Sequence, residues 1–549
     1  MTPTTVVRLV TIVCLSAAVL AGRDRNDDGL PSEFRTIDGT NTNLQHPEWG
    51  RTGSRLFRLT SPAYADGKEA PAGVSQPGAR VISNAVHAQT GSRPNRIGAS
   101  DLMWQWGQFV DHDISLSAAA DPLEPMPIPV PPGDPFFDPL GTGIQEIGFF
   151  RSTYDRDTEV REQVNELTAF IDASHVYGSD EERTRALRTL DGSGRLKTSP
   201  GDLLPFNYDG LPNAPSKSAE FFLAGDIRAN EQVGLTTLHT LFVREHNYWA
   251  ARFGRDDPRM DGNERFQMAR AVVAAEMQAI TYNEFLPFLL GREALTRYTG
   301  YHPDVYPGIS NEFSTAAFRL GHTLLPRTLL RLDRNGHPIA AGHLPLREAF
   351  FDPDQILVAQ DGRIEPVLRG LAAQLCEDLD IYLVDDIRNF LFGRPGEGGL
   401  DLAALNIQRG RDHGLDRYNR VRGNLGLRPA DGFADVSSDP VVRARLASVY
   451  DTVDDVDLSV GALAEDHRRG AMVGETVLRI LKDQFERLRD GDRFWYQTYL
   501  SDSLVRMVEE ETLARIIRRN TAIEDELQEE ALRVTGRSSG SDAQGLGLQ

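Results

Sequence analysis

The stretch Trp104–Leu116, W-Q-W-G-Q-F-V-D-H-D-I-S-L, sets a histidine between two aspartates and a glutamine one helical turn upstream. Gln108 and His112 are four residues apart, so a helix stacks their side chains on one face, while Asp111 and Asp113 leave in other directions. One turn can then serve several chemical tasks. Taken alone, the pattern is equally that of an acidic helix end with a core histidine, and its partners further along decide between the two.

Around this stretch the composition is that of an ordinary globular protein: 549 residues, 40% hydrophobic and 25% charged. Eighty acidic against 59 basic residues leave a net charge of −21, which repels nucleic acid and anionic membrane surfaces. Neither is an expected partner. Residues 1–22 combine Arg8, an apolar run from Leu9 to Ala21, and small residues at Val19 and Ala21, the pattern of a secretory signal peptide. The run is short of the roughly 20 residues a membrane span needs, so secretion to the periplasm or medium is expected, with an uncleaved anchor as the rival. Cleavage takes Cys14 away and leaves Cys376 without a partner, a cysteine usage that suits a secreted bacterial enzyme better than an animal one.

Residues 23–100 are polar and rich in Gly, Pro, Asn and Arg, and read as an extended arm over a core. A catalytic region follows over 101–530, and the Gly/Ser-rich segment 531–549 reads as a flexible tail. Within the catalytic region Pro122–Pro139 is too proline-dense for helix or central strand. Helical patterns run over Glu159–Ala169, Asp180–Leu190, Glu231–Phe253, Glu264–Leu290, Phe313–Leu325, Val367–Leu391 and Leu402–Arg422, then through the C-terminal part. No linker separates two cores. The expected fold is mainly α, one large helical domain with little β structure.

Four further constellations carry chemistry. Thr168, Phe170, Asp172 and Ser174 alternate along a loop, offering hydroxyls, a carboxylate and a main-chain carbonyl; with Asp113 they make a hard-oxygen set suited to Ca²⁺, although such strings are often turn clusters. Arg228 and Glu231, in A-G-D-I-R-A-N-E-Q, share a side if helical, and Arg228 in a dry pocket stabilises negative charge. His322, in F-R-L-G-H-T, sits on an apolar helix with Arg319 one turn earlier, where a core histidine is the common reading. Asn406 and Arg409, in L-N-I-Q-R-G-R-D-H-G-L, offer an amide for its ring and a cation for an anionic group. His239 and His246 read as satisfied structural histidines.

Together, W-G-Q-F-V-D-H-D, T-A-F-I-D-A-S-x-V-Y-G-S, R-A-N-E, L-H-T-L-F-V-R-E-H-N, F-R-L-G-H-T and L-N-I-Q-R-G-R-D-H-G-L resemble, in order, the motifs of the animal-type haem peroxidase superfamily, the myeloperoxidase and peroxidasin type. The resemblance spans about residues 35 to 525 and implies haem b held between a distal and a proximal helix. His112 is similar to the distal histidine, Gln108 to its neighbour and Arg228 to the distal arginine. His322 resembles the proximal iron ligand, with Asn406 behind it and Arg319 and Arg409 near the propionates. Asp113, Thr168, Phe170, Asp172 and Ser174 match the family's calcium site, and Asp111 and Glu231 match carboxylates ester-linked to haem in many members.

The resemblance implies reduction of hydrogen peroxide and oxidation of halides, thiocyanate or phenols. Chloride-oxidising members have a methionine where Gln232 stands, so iodide, bromide and thiocyanate are the expected donors ahead of chloride. One rival is a fatty-acid dioxygenase or cyclooxygenase-like enzyme, which needs a tyrosine three residues before the proximal histidine, where this chain has Arg319. The other is a secreted, non-catalytic adhesion protein on the same fold. The sequence leaves the oligomeric state open.

Overall fold

At the centre of the structure, a computed structural model describing Pro31 and residues 33–534, is helix α1 (Leu102–Ile114). The expected signal peptide and the tail beyond Val534 lie outside the described residues. Along α1 only Gly107, Gln108 and Asp111 are less than fully buried, and they form one stripe. On its other sides Trp106 and Phe109 pack into an aromatic cluster with Phe242, each such side chain contributing roughly 1.5–3 kcal/mol of burial. Asp101 precedes the helix and accepts from Trp104 Nε1 at 3.0 Å.

Helix α2 (Val233–Asp256) packs on α1 and on α3 (Gly262–Ile280). A capping box starts α3: Asp261 accepts from Glu264 N–H and Glu264 accepts from Asp261 N–H, both at 2.8 Å. The helix expected through Leu290 is broken by a π turn at Thr281–Phe285, then resumes over Leu286–Leu290. Pro287 has no N–H to donate, and the widened turn just before it accommodates the gap. Farther on come α4 (Leu402–Asp412), α5 (Glu475–Asp490) and α6 (Leu513–Asn520). The expected run from Leu402 to Arg422 is interrupted at Gly414, whose φ is +63°, and resumes at Tyr418. Val367–Leu391 is only partly helical, over Glu365–Ala373 and Asp385–Arg388.

The helix expected at Glu159–Ala169 is not formed. Its centre is strand β3 (Glu162–Asn165), the middle of an antiparallel sheet with β1 (Ser54–Arg55) and β2 (Tyr154–Asp155). Its Gln163 and Asn165 alternate inward, and tertiary contact overrides helix propensity here: Asn165 donates to Ile114 O at 2.8 Å and accepts from Leu116 N–H at 2.9 Å, capping the C-terminus of α1.

One hydrophobic core runs from Leu56 to Leu532 and unites these helices, giving a single, mainly helical domain. The polar N-terminal segment is anchored to it through buried charge. Fully buried Arg80 pairs with Asp134 of the proline-rich loop and with Asp401, which caps α4 by accepting from Ala404 N–H. Removing one partner of such a buried pair costs about 3–5 kcal/mol.

Candidate active site

The exposed stripe of α1 faces a cavity of about 270 Å³, close to the lower end of the roughly 300–1,000 Å³ of ordinary ligand pockets. Gln108, Asp111, His112, Arg228, Glu231 and Gln232 line one wall; Phe318, Arg319, Gly321 and His322 line the facing one. The remainder is largely apolar, with Phe285, Phe350, Phe392, Leu391 and Leu405. No tyrosine lines the cavity among the described residues.

Arg228 and Glu231 do not share a helical face, because they precede α2 in a turn closed by Glu231 N–H to Arg228 O at 2.8 Å. The turn still brings both side chains into the cavity. Arg228 is clamped: its Nε and Nη2 donate to the two oxygens of Asp226 at 2.9 and 2.8 Å, and Nη2 also donates to Ser115 O. Asp226, absent from the residues singled out in the sequence, is buried. Burial alone would raise its pKa, but the charge and hydrogen bonds of Arg228 outweigh this and hold it well below the carboxylate range. Nothing in the local string A-G-D-I-R marks it; only its spatial neighbours do.

Burial, reinforced by the Arg228 charge, keeps His112 neutral by depressing its pKa well below 6.5. Burial also raises Asp111 to about 6 and Glu231 to about 7, and Gln108 Nε2 donates to Glu231 at 3.3 Å. Gln232 accepts from Gly234 N–H at the start of α2 and donates to Gln105 and Gln108, at 2.6 and 3.0 Å. Gly234 is required for this approach, since a Cβ there collides with the Gln105 amide.

The facing wall is not the helix expected over Phe313–Leu325. A short α segment, Asn311–Thr315, breaks at Ala316 (φ −129°, ψ −64°) into a 3-10 turn, Ala317–Thr323, carrying Arg319 and His322. His322 Nδ1 lies 2.8 Å from the Asn406 amide nitrogen, while Arg319 donates to Asn406 Oδ1 at 3.1 Å. Burial, then the Arg319 charge, lowers His322 to about 3, leaving a neutral imidazole suited to metal ligation. Burial, then Arg409, lowers Arg319 to about 10. Arg409 is not brought to the cavity lining: it bonds Phe150 O, Ser152 and Asp412, with its guanidinium over Phe149.

Asp113 points away from the cavity. Its carboxylate accepts from Ser174 Oγ at 2.9 Å and from the N–H groups of Asp172 and Ala173, both at 3.1 Å. Thr168 Oγ1 and Asp172 Oδ2 are buried there without hydrogen-bond partners among the described residues. Arg35 Nε approaches Asp172 at 3.7 Å but bonds Asp492 more closely, at 2.7 Å. His246 is satisfied by Tyr177 and Gly194 O. His239 is not, since both its ring nitrogens are buried and unpartnered.

A sequence profile of the family described as animal haem peroxidase matches residues 34–532. Peroxinectin A of Dictyostelium discoideum is 39% identical over 511 residues, covering 89% of this chain and 94% of that protein. The peroxidasin homolog of Mus musculus is 37% identical over 91% of this chain, which spans only 37% of that longer protein. Among solved structures, peroxidase A from Dictyostelium discoideum superposes with a TM-score of 0.85 at 37% identity, over 91% of this chain and 99% of that one. A fatty acid alpha-dioxygenase of Oryza sativa has a TM-score of 0.77 at 22% identity, over 92% and 88% of the two chains, a likeness of fold alone.

Proposed function

The chain belongs to the animal haem peroxidase family and is a peroxidase, and from that premise we propose that His112 and Arg228 act on hydrogen peroxide while His322 holds the haem iron. The observation that carries this reading is the confrontation of buried His112 and half-buried His322, both held neutral, across one cavity. Haem, when bound, supplies the redox centre that takes oxidising equivalents from peroxide and passes them to the donor. His322 would ligate through Nε2, which needs its hydrogen on Nδ1; the Asn406 amide, whose nitrogen faces Nδ1 at 2.8 Å, would then turn its oxygen to the ring. His112 Nε2 accepts a proton from one peroxide oxygen and returns it to the other, which leaves as water. Arg228, pre-aligned by Asp226 and Ser115, stabilises the negative charge that develops between these events. Arg319, on the cavity wall, would be the cation that pairs with a haem propionate, with Arg409 supporting the pocket edge from outside the lining.

The donors in this reading are iodide, bromide, thiocyanate and phenols, because Gln232 supplies no thioether and Asn406 is a neutral partner for His322. A fatty-acid oxygenase is disfavoured by the cavity's lack of a lining tyrosine. Steady-state assays of purified holoenzyme with chloride, bromide, iodide, thiocyanate and guaiacol test this: chloride as the preferred donor, or no peroxide-dependent turnover with any of them, defeats it.

Two refinements accompany the reading. Asp111 and Glu231, half-buried at the cavity wall, would be the carboxylates able to esterify haem methyl groups, hydrogen peroxide being the two-electron oxidant and leaving as water; haem fully released by denaturing acid after peroxide turnover counts against this. Asp113, Thr168, the Phe170 carbonyl, Asp172 and Ser174 hold Ca²⁺, supported by the unpartnered oxygens of Thr168 and Asp172. Secretion rests on residues 1–22, and no helix among the described residues is long and apolar enough to cross a membrane.

A further inference from the structure

His112 Nδ1 is buried and makes no hydrogen bond among the described residues. The nearest opposite charge is Asp226 Oδ1, 3.6 Å away, on a carboxylate already engaged by both the Nε and Nη2 of Arg228. Neutral imidazole has one N–H, and if it sits on Nε2 the ring cannot take a proton there. An acid-base histidine therefore needs a partner that keeps the hydrogen on Nδ1. Of the other groups around the ring, Arg228 has no acceptor, and no nitrogen of His175 or His239 comes within hydrogen-bond distance of Nδ1, which leaves the Asp226 carboxylate as the anionic acceptor facing it. The adjacent Asp111 lines the cavity.

Asp226 is itself held from behind. Its N–H donates to His175 O at 2.9 Å, and its Oδ1 accepts from Arg228 N–H at 2.7 Å. The preceding Gly225 lies so close to Ser174 O and the Tyr177 and Gly178 N–H groups that a Cβ there collides with all of them. The carboxylate is thus fixed on the 174–178 segment rather than on α1 or α2. From there it reaches both residues that act on peroxide.

We infer that Asp226 is the positioning residue of this site: one carboxylate fixes the Nδ1–H tautomer of His112 and the fork of Arg228, so the two act as a unit. This rests on the reading of His112 as the proton acceptor.

A double-variant cycle on holoenzyme tests this, with rates expressed per bound haem. The readouts are the peroxide reaction rate and the cyanide association rate, since hydrogen cyanide must also give up its proton to the distal base. Asp226→Asn is expected to lower both by roughly 100-fold, the low end of what acid-base catalysis contributes. In a His112→Gln background the same substitution is expected to lower either rate by no more than about tenfold, because only its hold on Arg228 remains. Asp226→Glu keeps the charge one methylene away and should recover part of the rate; where the Asn variant does not fold, Glu carries the cycle, with a loss of at least about fivefold expected. Additive effects in the two backgrounds, or full per-haem rates in Asp226→Asn, overturn the inference. If His112→Gln alone leaves both rates intact, it is the assignment of His112 that fails.

Discussion

The two walls of the cavity are built differently. The distal wall is a regular helix, α1, whose residues within one turn serve separate neighbours: Gln108 meets Glu231 and Gln232, His112 faces Asp226, and Asp113 turns outward to the 172–174 loop. The proximal wall is a 3-10 turn with one ring, His322, and one amide behind it, Asn406. Many weak tethers spread along the first, whereas the second converges on Asn406, which both His322 and Arg319 meet. A regular helix repeats its geometry at every turn, so it can present several groups in fixed register, whereas the short 3-10 turn is used where a single side chain must be aimed.

The largest expected effect follows from that asymmetry. His322→Ala removes the only proposed protein ligand to iron, and purified protein should contain little haem by pyridine haemochromogen assay. His112→Ala should retain haem yet react with peroxide slower by roughly 100- to 10,000-fold in stopped flow. Reversed behaviour, with haem lost from His112→Ala and retained by His322→Ala, means the walls have been assigned the wrong way round.

Next come the two aspartates that flank His112. Asp113→Ala strips acceptors from Ser174 Oγ and two backbone N–H groups, and should destabilise the fold by about 3–5 kcal/mol with a lower thermal midpoint. Asp111 makes no such bonds, so Asp111→Ala should leave the midpoint nearly unchanged while haem becomes extractable by acid. Equal midpoints for the two variants would erase the distinction between an anchoring and a cavity-facing carboxylate.

On the proximal side, Asn406→Ala should weaken haem retention by roughly 10- to 100-fold, the usual cost of losing the group that orients a metal-bound histidine. Asn406→Asp should keep the haem and lower the reduction potential, because a carboxylate draws the Nδ1 proton and makes the ligand more basic. Redox titration distinguishes the two substitutions; an unchanged potential in Asn406→Asp removes Asn406 from the ligand's control.

How far the sequence carried these assignments differs between the walls in the same way. On α1, the four-residue spacing of Gln108 and His112 and the outward turn of Asp113 were legible, because helical periodicity converts spacing directly into direction. The proximal segment carries the same kind of apolar pattern, but the break at Ala316 and the 3-10 winding of His322 go with packing against α1 and α5, which no local string records. Strand β3 was hidden for a related reason: its residues are stabilised as a cap on α1, a contact made across 49 residues between Leu116 and Asn165. Asp226 and the unpartnered state of His239 were invisible because each is defined by spatial neighbours, and Arg409 was placed at the pocket by motif position while its side chain turns to Asp412.

The smallest effect probes the seam where the distal wall meets α2. Gln232 does two things, accepting from Gly234 N–H as the N-cap and donating to Gln108 Oε1, which turns the Gln108 amide nitrogen toward Glu231. Gln232→Ser keeps a capping oxygen, so the start of α2 should lose less than about 0.5 kcal/mol, but it is too short to reach Gln108. The lost amide contact is worth about 1 kcal/mol, and the peroxide rate should fall about fivefold as Gln108 loses its fixed orientation. Gln232→Ala loses both functions and should add about 1 kcal/mol of instability without a further fall in rate. A Ser variant that loses stability but keeps its rate would show that Gln232 serves α2 alone, and the distal wall would then end at Gln108.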